Sequence, residues 1–122
     1  SQVWTTARDL TRFGLLLLND GRWGGKEIVP ASWIRFMAKP APAQPPLERA
    51  DGSKIAGYGG QIWLFGQRHG LPEGTLAAMG NRGQYVVVVP SRGIVIVRRG
   101  FDGDGVRFAI DEFAADILKV LE

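Results

Sequence analysis

The run Gly80-Asn81-Arg82-Gly83 is where this chain comes closest to chemistry. Ala78 and Met79 precede it and Gln84 and Tyr85 follow. Small residues and glycines leave backbone N–H groups uncovered, which suits a ligand that approaches the main chain closely. One reading is a turn between two strands, with Asn81 accepting an awkward backbone conformation. The other is an oxyanion donor, in which an N–H just beyond Gly80 faces a polarised carbonyl. A well-placed donor of that kind is worth about 3 kcal/mol in a transition state. Asn81 is the residue on which this second reading turns. The run is not a dinucleotide-binding loop, because it lacks the full spacing and a following helix.

Other reactive residue types are sparse. His69 is the single histidine and stands between Arg68 and Gly70. A nucleophile–histidine–carboxylate arrangement needs an activated serine, and no Gly-x-Ser-x-Gly elbow occurs. His69 is therefore expected to be a solvated loop residue. With one His and no Cys, metal ligation would fall to carboxylates, and these are dispersed along the chain. Neither a metal nor a cofactor is expected. The formal net charge is +3, from 15 Lys and Arg against 12 acids. No basic run exceeds two residues, which argues against a nucleic-acid partner. Arg98, Arg99 and Arg107 are expected at the surface, with recognition of a substrate carboxylate as the alternative. Phe13 to Leu18 is too short for a membrane span. The absence of cysteine excludes disulfides and leaves the compartment open.

The elements that must position Gly80–Gly83 are legible from periodicity. Tyr85–Val89 and Ile94–Val97 are unbroken aromatic and β-branched runs, which suggests strands covered on both faces. Pro90-Ser91-Arg92-Gly93 between them reads as a hairpin connection. Tyr58–Phe65 reads as a strand weakened at its start by Gly59 and Gly60, with a turn-rich link over Gln67–Glu73. Thr6-x-x-Asp9 is a capping box for a helix over 7–18, which Asn19-Asp20-Gly21 stops. After a glycine-rich loop with Trp23 folded back on that helix, Pro30 suits the first turn of a short second helix. Trp33, Ile34 and Met37 form its buried side and Pro40 ends it. Ala41–Ser53, with its prolines, is a surface loop. The last helix is capped by Asp104 and buries Val106, Ile110, Phe113, Ala114, Ile117, Leu118 and Leu121. At 122 residues and 45% apolar content this is one α+β unit. It comprises a helical part (1–40), a loop (41–57), an antiparallel sheet of three to four strands (58–100) and a C-terminal helix (104–122) packed on the sheet.

Ala78-Met79-Gly80, then Gly83-Gln84-Tyr85 and a hydrophobic strand closing in Pro90, resembles the third motif of the serine β-lactamase and penicillin-binding-protein superfamily. More narrowly it resembles the class C-related branch of esterases, D-aminopeptidase-like enzymes and 6-aminohexanoate-dimer hydrolase-like amidases. Two more stretches resemble that branch in the correct order. They are Thr6-Ala7-x-Asp9-Leu10-x-x-Phe13 and Gly25-x-x-Ile28-Val29-Pro30-x-x-Trp33. Tyr58-Gly59-Gly60-Gln61-Ile62-Trp63 matches a third element loosely. In that branch a Lys-Thr-Gly or His-x-Gly triplet opens the strand lining the active site. Ala78 stands where the cation or histidine would be, which favours the amidase and esterase side over a true β-lactamase.

The resemblance implies a small-molecule amide or ester substrate and an acyl-enzyme mechanism. That mechanism needs a serine in Ser-x-x-Lys, with the lysine as base, and a Tyr-x-Asn. Neither is present. Ser1, Ser32, Ser53 and Ser91 all lack a lysine three positions on, and Ser32-x-x-Arg35 offers a group that stays protonated. The chain is thus expected to be the C-terminal portion of a bacterial serine hydrolase fold, inactive alone, with Ala78, Met79, Gly80 and Asn81 on one wall of the cleft. The alternative is a non-catalytic structural or interaction module built on the same sheet. A portion separated from its partner strands is expected to self-associate or swap elements. Gln61–Phe65 or Leu76–Met79 would be its open edge, and apolar surface would be exposed near Phe13, Leu17 and Trp33.

Overall fold

Helix α1 (Ala7–Leu18) opens a computed structural model that describes residues 3–122. Thr6 caps it as expected, accepting from the Asp9 amide at 3.1 Å while its hydroxyl donates to the Asp9 carboxylate at 3.0 Å. The helix stops at Gly21, whose φ of 83° lets its N–H return to the Leu16 carbonyl at 2.8 Å. A Cβ there would lie 2.0 Å from the Val29 carbonyl oxygen, so only glycine fits the turn. A two-stranded hairpin that periodicity did not suggest follows, β1 (Arg22–Trp23) with β2 (Lys26–Glu27), and Trp23 on it is 44% exposed.

Helix α2 (Ala31–Met37) has Pro30 at its N-cap, one position earlier than expected, with the Pro30 carbonyl accepting from Trp33 N–H at 2.9 Å. Ile34 is buried and Met37 packs beside it, but Trp33 is 53% exposed and stacks on Phe36 at 5.0 Å. The expected burial of Trp33 is corrected here. Seven residues make only two turns, and Ile34 with Met37 already fills the inward stripe.

Five antiparallel strands form the main sheet: β3 (Gly57–Tyr58), β4 (Trp63–Phe65), β5 (Thr75–Gly80), β6 (Gln84–Val89) and β7 (Ile94–Arg98), in chain order. This exceeds the expected three to four strands. Gln61 adopts φ 65° in the β3–β4 turn, which shortens the Gln61–Phe65 strand to its last three residues. Leu76–Met79 lies in the middle strand, so neither expected edge is correct as stated; β3 and β7 are the edges. The unbroken apolarity of β6 is explained by two cores. Val87 and Val89 pack with Ala77, Phe65 and Ile96 on one face, while Val86 and Val88 pack with Leu76, Leu17 and Ile34 on the other.

Helix α3 (Ile110–Val120) closes the first of these cores through Ile110, Ala114 and Leu118, four residues apart. It begins later than expected. Asp104 and Val106 are exposed and lie in an irregular stretch over 101–109, so Asp104 is not its cap. Phe113 is 40% exposed and makes an edge contact with Phe108 at 5.4 Å, and so is not a core residue. Loop residue His69 is corrected as well: it is buried rather than solvated. Its Nδ1 accepts from Gly66 N–H at 3.1 Å and its Nε2 lies 3.1 Å from the Ile55 carbonyl. An accepting Nδ1 leaves the proton on Nε2 to donate to Ile55, so both ring nitrogens are occupied by structure.

Candidate active-site wall

A cleft of about 420 Å³ lies between the start of α1 and the β5–β6 pair. Ala78, Met79 and Gly80 supply one wall, Leu10 and Phe13 the opposite one, and Gln84 and Tyr85 the floor toward the turn. Three of the four residues singled out from sequence are therefore brought together. Asn81 is not among the lining residues; it is exposed in the turn just beyond. The reason is register: Gly80 pairs with Gln84, which leaves Asn81, Arg82 and Gly83 to make the connection.

That connection is held in one shape from several sides. Arg82 and Gly83 both take left-handed φ values, 61° and 82°. The Arg82 carbonyl accepts from Asp102 N–H at 3.1 Å, and the Gly83 carbonyl accepts from the Arg98 guanidinium at 2.9 Å. Arg98 also grips Asp102 with two bonds, at 2.8 and 2.9 Å, and lies 3.8 Å over the Phe108 ring. Gln84 Oε1 accepts from Gly100 N–H at 3.2 Å and from Arg99 Nε at 3.1 Å, while its Nε2 donates to the Gly100 carbonyl. A Cβ on Gly83 would sit 2.1 Å from both Arg98 Nη1 and Asp102 Oδ2. Glycine is required so that the fork can close over the turn.

Arg98 is thus a structural clamp, with its side chain 23% exposed, and not the surface group expected. The role of Asp102 and Gln84 was missed. The one sequence signal was the cluster of Gly100, Gly103 and Gly105 after a strand, which prevents α3 from starting early and lets the chain fold back over the turn. Arg99 stays exposed and donates to the Thr5 carbonyl, tying the start of the chain to the cleft rim.

The cleft is mostly apolar. Its one acidic lining residue is Asp9, whose carboxyl is held below the usual aspartate value of 3.8 by the Thr6 hydroxyl and then by Arg12. A carboxylate made less basic by those bonds is poorly suited to proton abstraction near neutrality. Among the described lining residues there is no serine, lysine or histidine. Ser32 and Ser91 are exposed, Ser53 donates to Asp51 at 2.6 Å in a loop, and Ser1 lies outside the described residues. Among the described residues no cluster of three or more His, Cys, Asp or Glu could hold a metal ion, and no helix is long and apolar enough to cross a membrane. The arrangement can bound a substrate and present backbone beside it.

The chain matches no family model and no curated protein sequence. Among solved structures it is similar to "Putative 6-aminohexanoate-dimer hydrolase from Bacillus anthracis", at 28% identity and a TM-score of 0.65. The match covers 96% of this chain and 28% of that one, so this chain spans little more than a quarter of that protein's length. The likeness supports a hydrolase-like α+β fold in the serine β-lactamase-like superfamily.

Proposed function

We propose that this chain is the C-terminal portion of a β-lactamase-like serine hydrolase of the amidase or esterase kind, and that Ala78–Gly80 of β5 form one wall of the substrate cleft, with the following turn at its rim. The observation that carries this reading is the placement of Ala78-Met79-Gly80 along an apolar cleft, in a chain whose likeness extends over 28% of a longer hydrolase-named protein. In the reaction, a serine Oγ supplied from outside these 122 residues adds to the amide or ester carbonyl as a lysine takes its proton. The amine or alcohol leaves with a proton, and water then releases the acid from the acyl-enzyme. The role of this chain is to bind and to stabilise charge. Asn81 N–H is the candidate donor to the developing oxyanion, and the Arg98–Asp102 fork fixes the turn that carries it. Ala78 offers no cation for a substrate carboxylate, which favours uncharged substrates.

The test is a comparison of this chain with the polypeptide encoded upstream of it. The chain alone is expected to hydrolyse neither nitrocefin nor p-nitrophenyl acetate above a heat-denatured control. A fluorophosphonate probe should leave Ser1, Ser32, Ser53 and Ser91 unlabelled. The longer polypeptide should carry Ser-x-x-Lys and turn over the ester. Turnover by the chain alone overturns the proposal. So does an upstream sequence without Ser-x-x-Lys, which would favour the non-catalytic module.

A further inference from the structure

On the α3 side of the sheet a second cavity, of about 270 Å³, lies between the loop over 49–56, the strands β4 to β6 and the start of α3. Every residue that lines it falls between Arg49 and Asp111, so its floor and walls come from interior segments of this chain. Four aromatic rings, Trp63, Phe65, Tyr85 and Phe108, form the lining with Met79 and Ile110. All six belong to or pack against the α3-side core. Phe108 is held from two sides: its ring centroid lies 6.0 Å from that of Tyr85 and 3.8 Å from the Arg98 guanidinium carbon. A concave, mostly apolar site with a few charged groups is the usual form of a small-molecule pocket. This volume is just under the roughly 300 Å³ at which drug-sized sites begin, so it suits one ring with a short arm.

The charges at the cavity select the sign of that ligand. Arg49, Lys54 and Arg107 stand against a single acid, Asp111. Two of the three cations are engaged within the loop. Lys54 pairs with Glu48, and Arg49 donates to the Lys54 carbonyl at 3.0 Å and to Ser53 Oγ at 3.3 Å. Arg107 is not so engaged. Among the described residues it makes no hydrogen bond, and its ion-pair partner Asp51 lies 4.0 Å away, with the other carboxylate oxygen occupied by Ser53. A guanidinium offers five N–H donors in a planar fork that matches a carboxylate. Aromatic faces also attract cations, but three cations against one acid oppose that choice.

We infer that this cavity binds a small aromatic carboxylic acid, with its ring against Trp63, Tyr85 and Phe108 and its carboxylate on Arg107. Met79 and Tyr85 also border the cleft beside α1, so the two cavities lie back to back across the β5–β6 pair. The inference does not rest on the hydrolase reading. It stands if no Ser-x-x-Lys is found upstream, and finding one does not establish it.

The test is a titration of the polypeptide as encoded, with any segment that precedes Ser1, against phenylacetate. A ligand this small should bind with a Kd on the order of 0.1–1 mM. At saturation, amide exchange should slow in residues 49–56 and 107–111 and stay unchanged in α1, which distinguishes this cavity from the cleft. Benzylamine, with the same ring and the opposite charge, should bind at least about tenfold more weakly. Arg107, whose side chain is 45% exposed, can be replaced without disturbing the core. Arg107→Gln should weaken phenylacetate about tenfold and leave the urea midpoint unchanged. Asp111→Asn should tighten it severalfold, since a like charge is removed. No saturation by about 10 mM overturns the inference. So does benzylamine binding as tightly as phenylacetate, slowed exchange confined to the cleft, or an unchanged affinity in Arg107→Gln. If Asp111→Asn unfolds α3, the benzylamine and Arg107→Gln comparisons still decide the question.

Discussion

Arg98 bonds to the Gly83 carbonyl and to both oxygens of Asp102 while covering the Phe108 ring, and the turn beyond β5 depends on it. The hydrogen bonds from Arg98, and then its charge, lower the Asp102 pKa from the ordinary 3.8. A carboxyl group with a lowered folded-state pKa stabilises the fold above its unfolded value, and that contribution is lost as pH falls through the folded value. Asp9, Glu48 and Asp51 are lowered too, so the acid limb is shared. Urea midpoints between pH 6 and 3 should fall below about pH 4 in the parent chain. Asp102→Asn should be less stable at neutrality and lose less over that window; equal slopes would show that the fork contributes nothing. At Gly83 both the φ of 82° and the 2.1 Å approach to Arg98 and Asp102 oppose a side chain. Gly83→Ala should cost more than about 1 kcal/mol in urea melts. Gly93→Ala, with φ 63° but open space around it, should cost less.

At the scale of elements, α1 and α3 grip opposite faces of the sheet by different means. α3 buries Ile110, Ala114 and Leu118 and leaves Phe113 at its margin. Ile110→Ala should therefore cost about 2–5 kcal/mol. Phe113→Ala should cost only about 1 kcal/mol, because much of its ring stays in water and its remaining gain is one aromatic contact. A reversed order in denaturant melts would show that α3 is rotated about its axis. α1 approaches the sheet through Gly14, where a Cβ would meet Val95 Cγ1 at 2.5 Å and Val86 Cγ1 at 3.1 Å. Alanine would gain about 1 kcal/mol in helix propensity. Overpacking against two stiff β-branched side chains costs about 1–3 kcal/mol and should win. Gly14→Ala should accordingly destabilise the chain, and a stabilised variant would mean that α1 sits further from the sheet.

At the scale of the molecule, β6 couples the two cores, since Val86 and Val88 belong to one and Val87 and Val89 to the other. Neither core can open without disturbing that strand. Val87→Ala and Val88→Ala should both lower stability, and each should leave one cooperative transition in which far-UV and near-UV signals coincide. Two separated transitions in either variant would show that the faces melt independently.

The helix over 7–18 and the β6–β7 hairpin could be read from the chain, because caps, turn residues and period are local properties. The start of α3, the burial of His69, the exposure of Trp33 and the identity of the sheet edges could not. Each depends on what another segment provides. The fold-back from Arg98 to Asp102 delays α3, and the Gly66 and Ile55 backbone groups satisfy His69. Strand order likewise decides which apolar run is left unpaired. Sequence settled where the chain bends and which residues are apolar, since sterics and hydrophobicity act residue by residue. Only the tertiary structure decided which polar groups find partners, because hydrogen-bond satisfaction depends on distances between residues far apart in the chain.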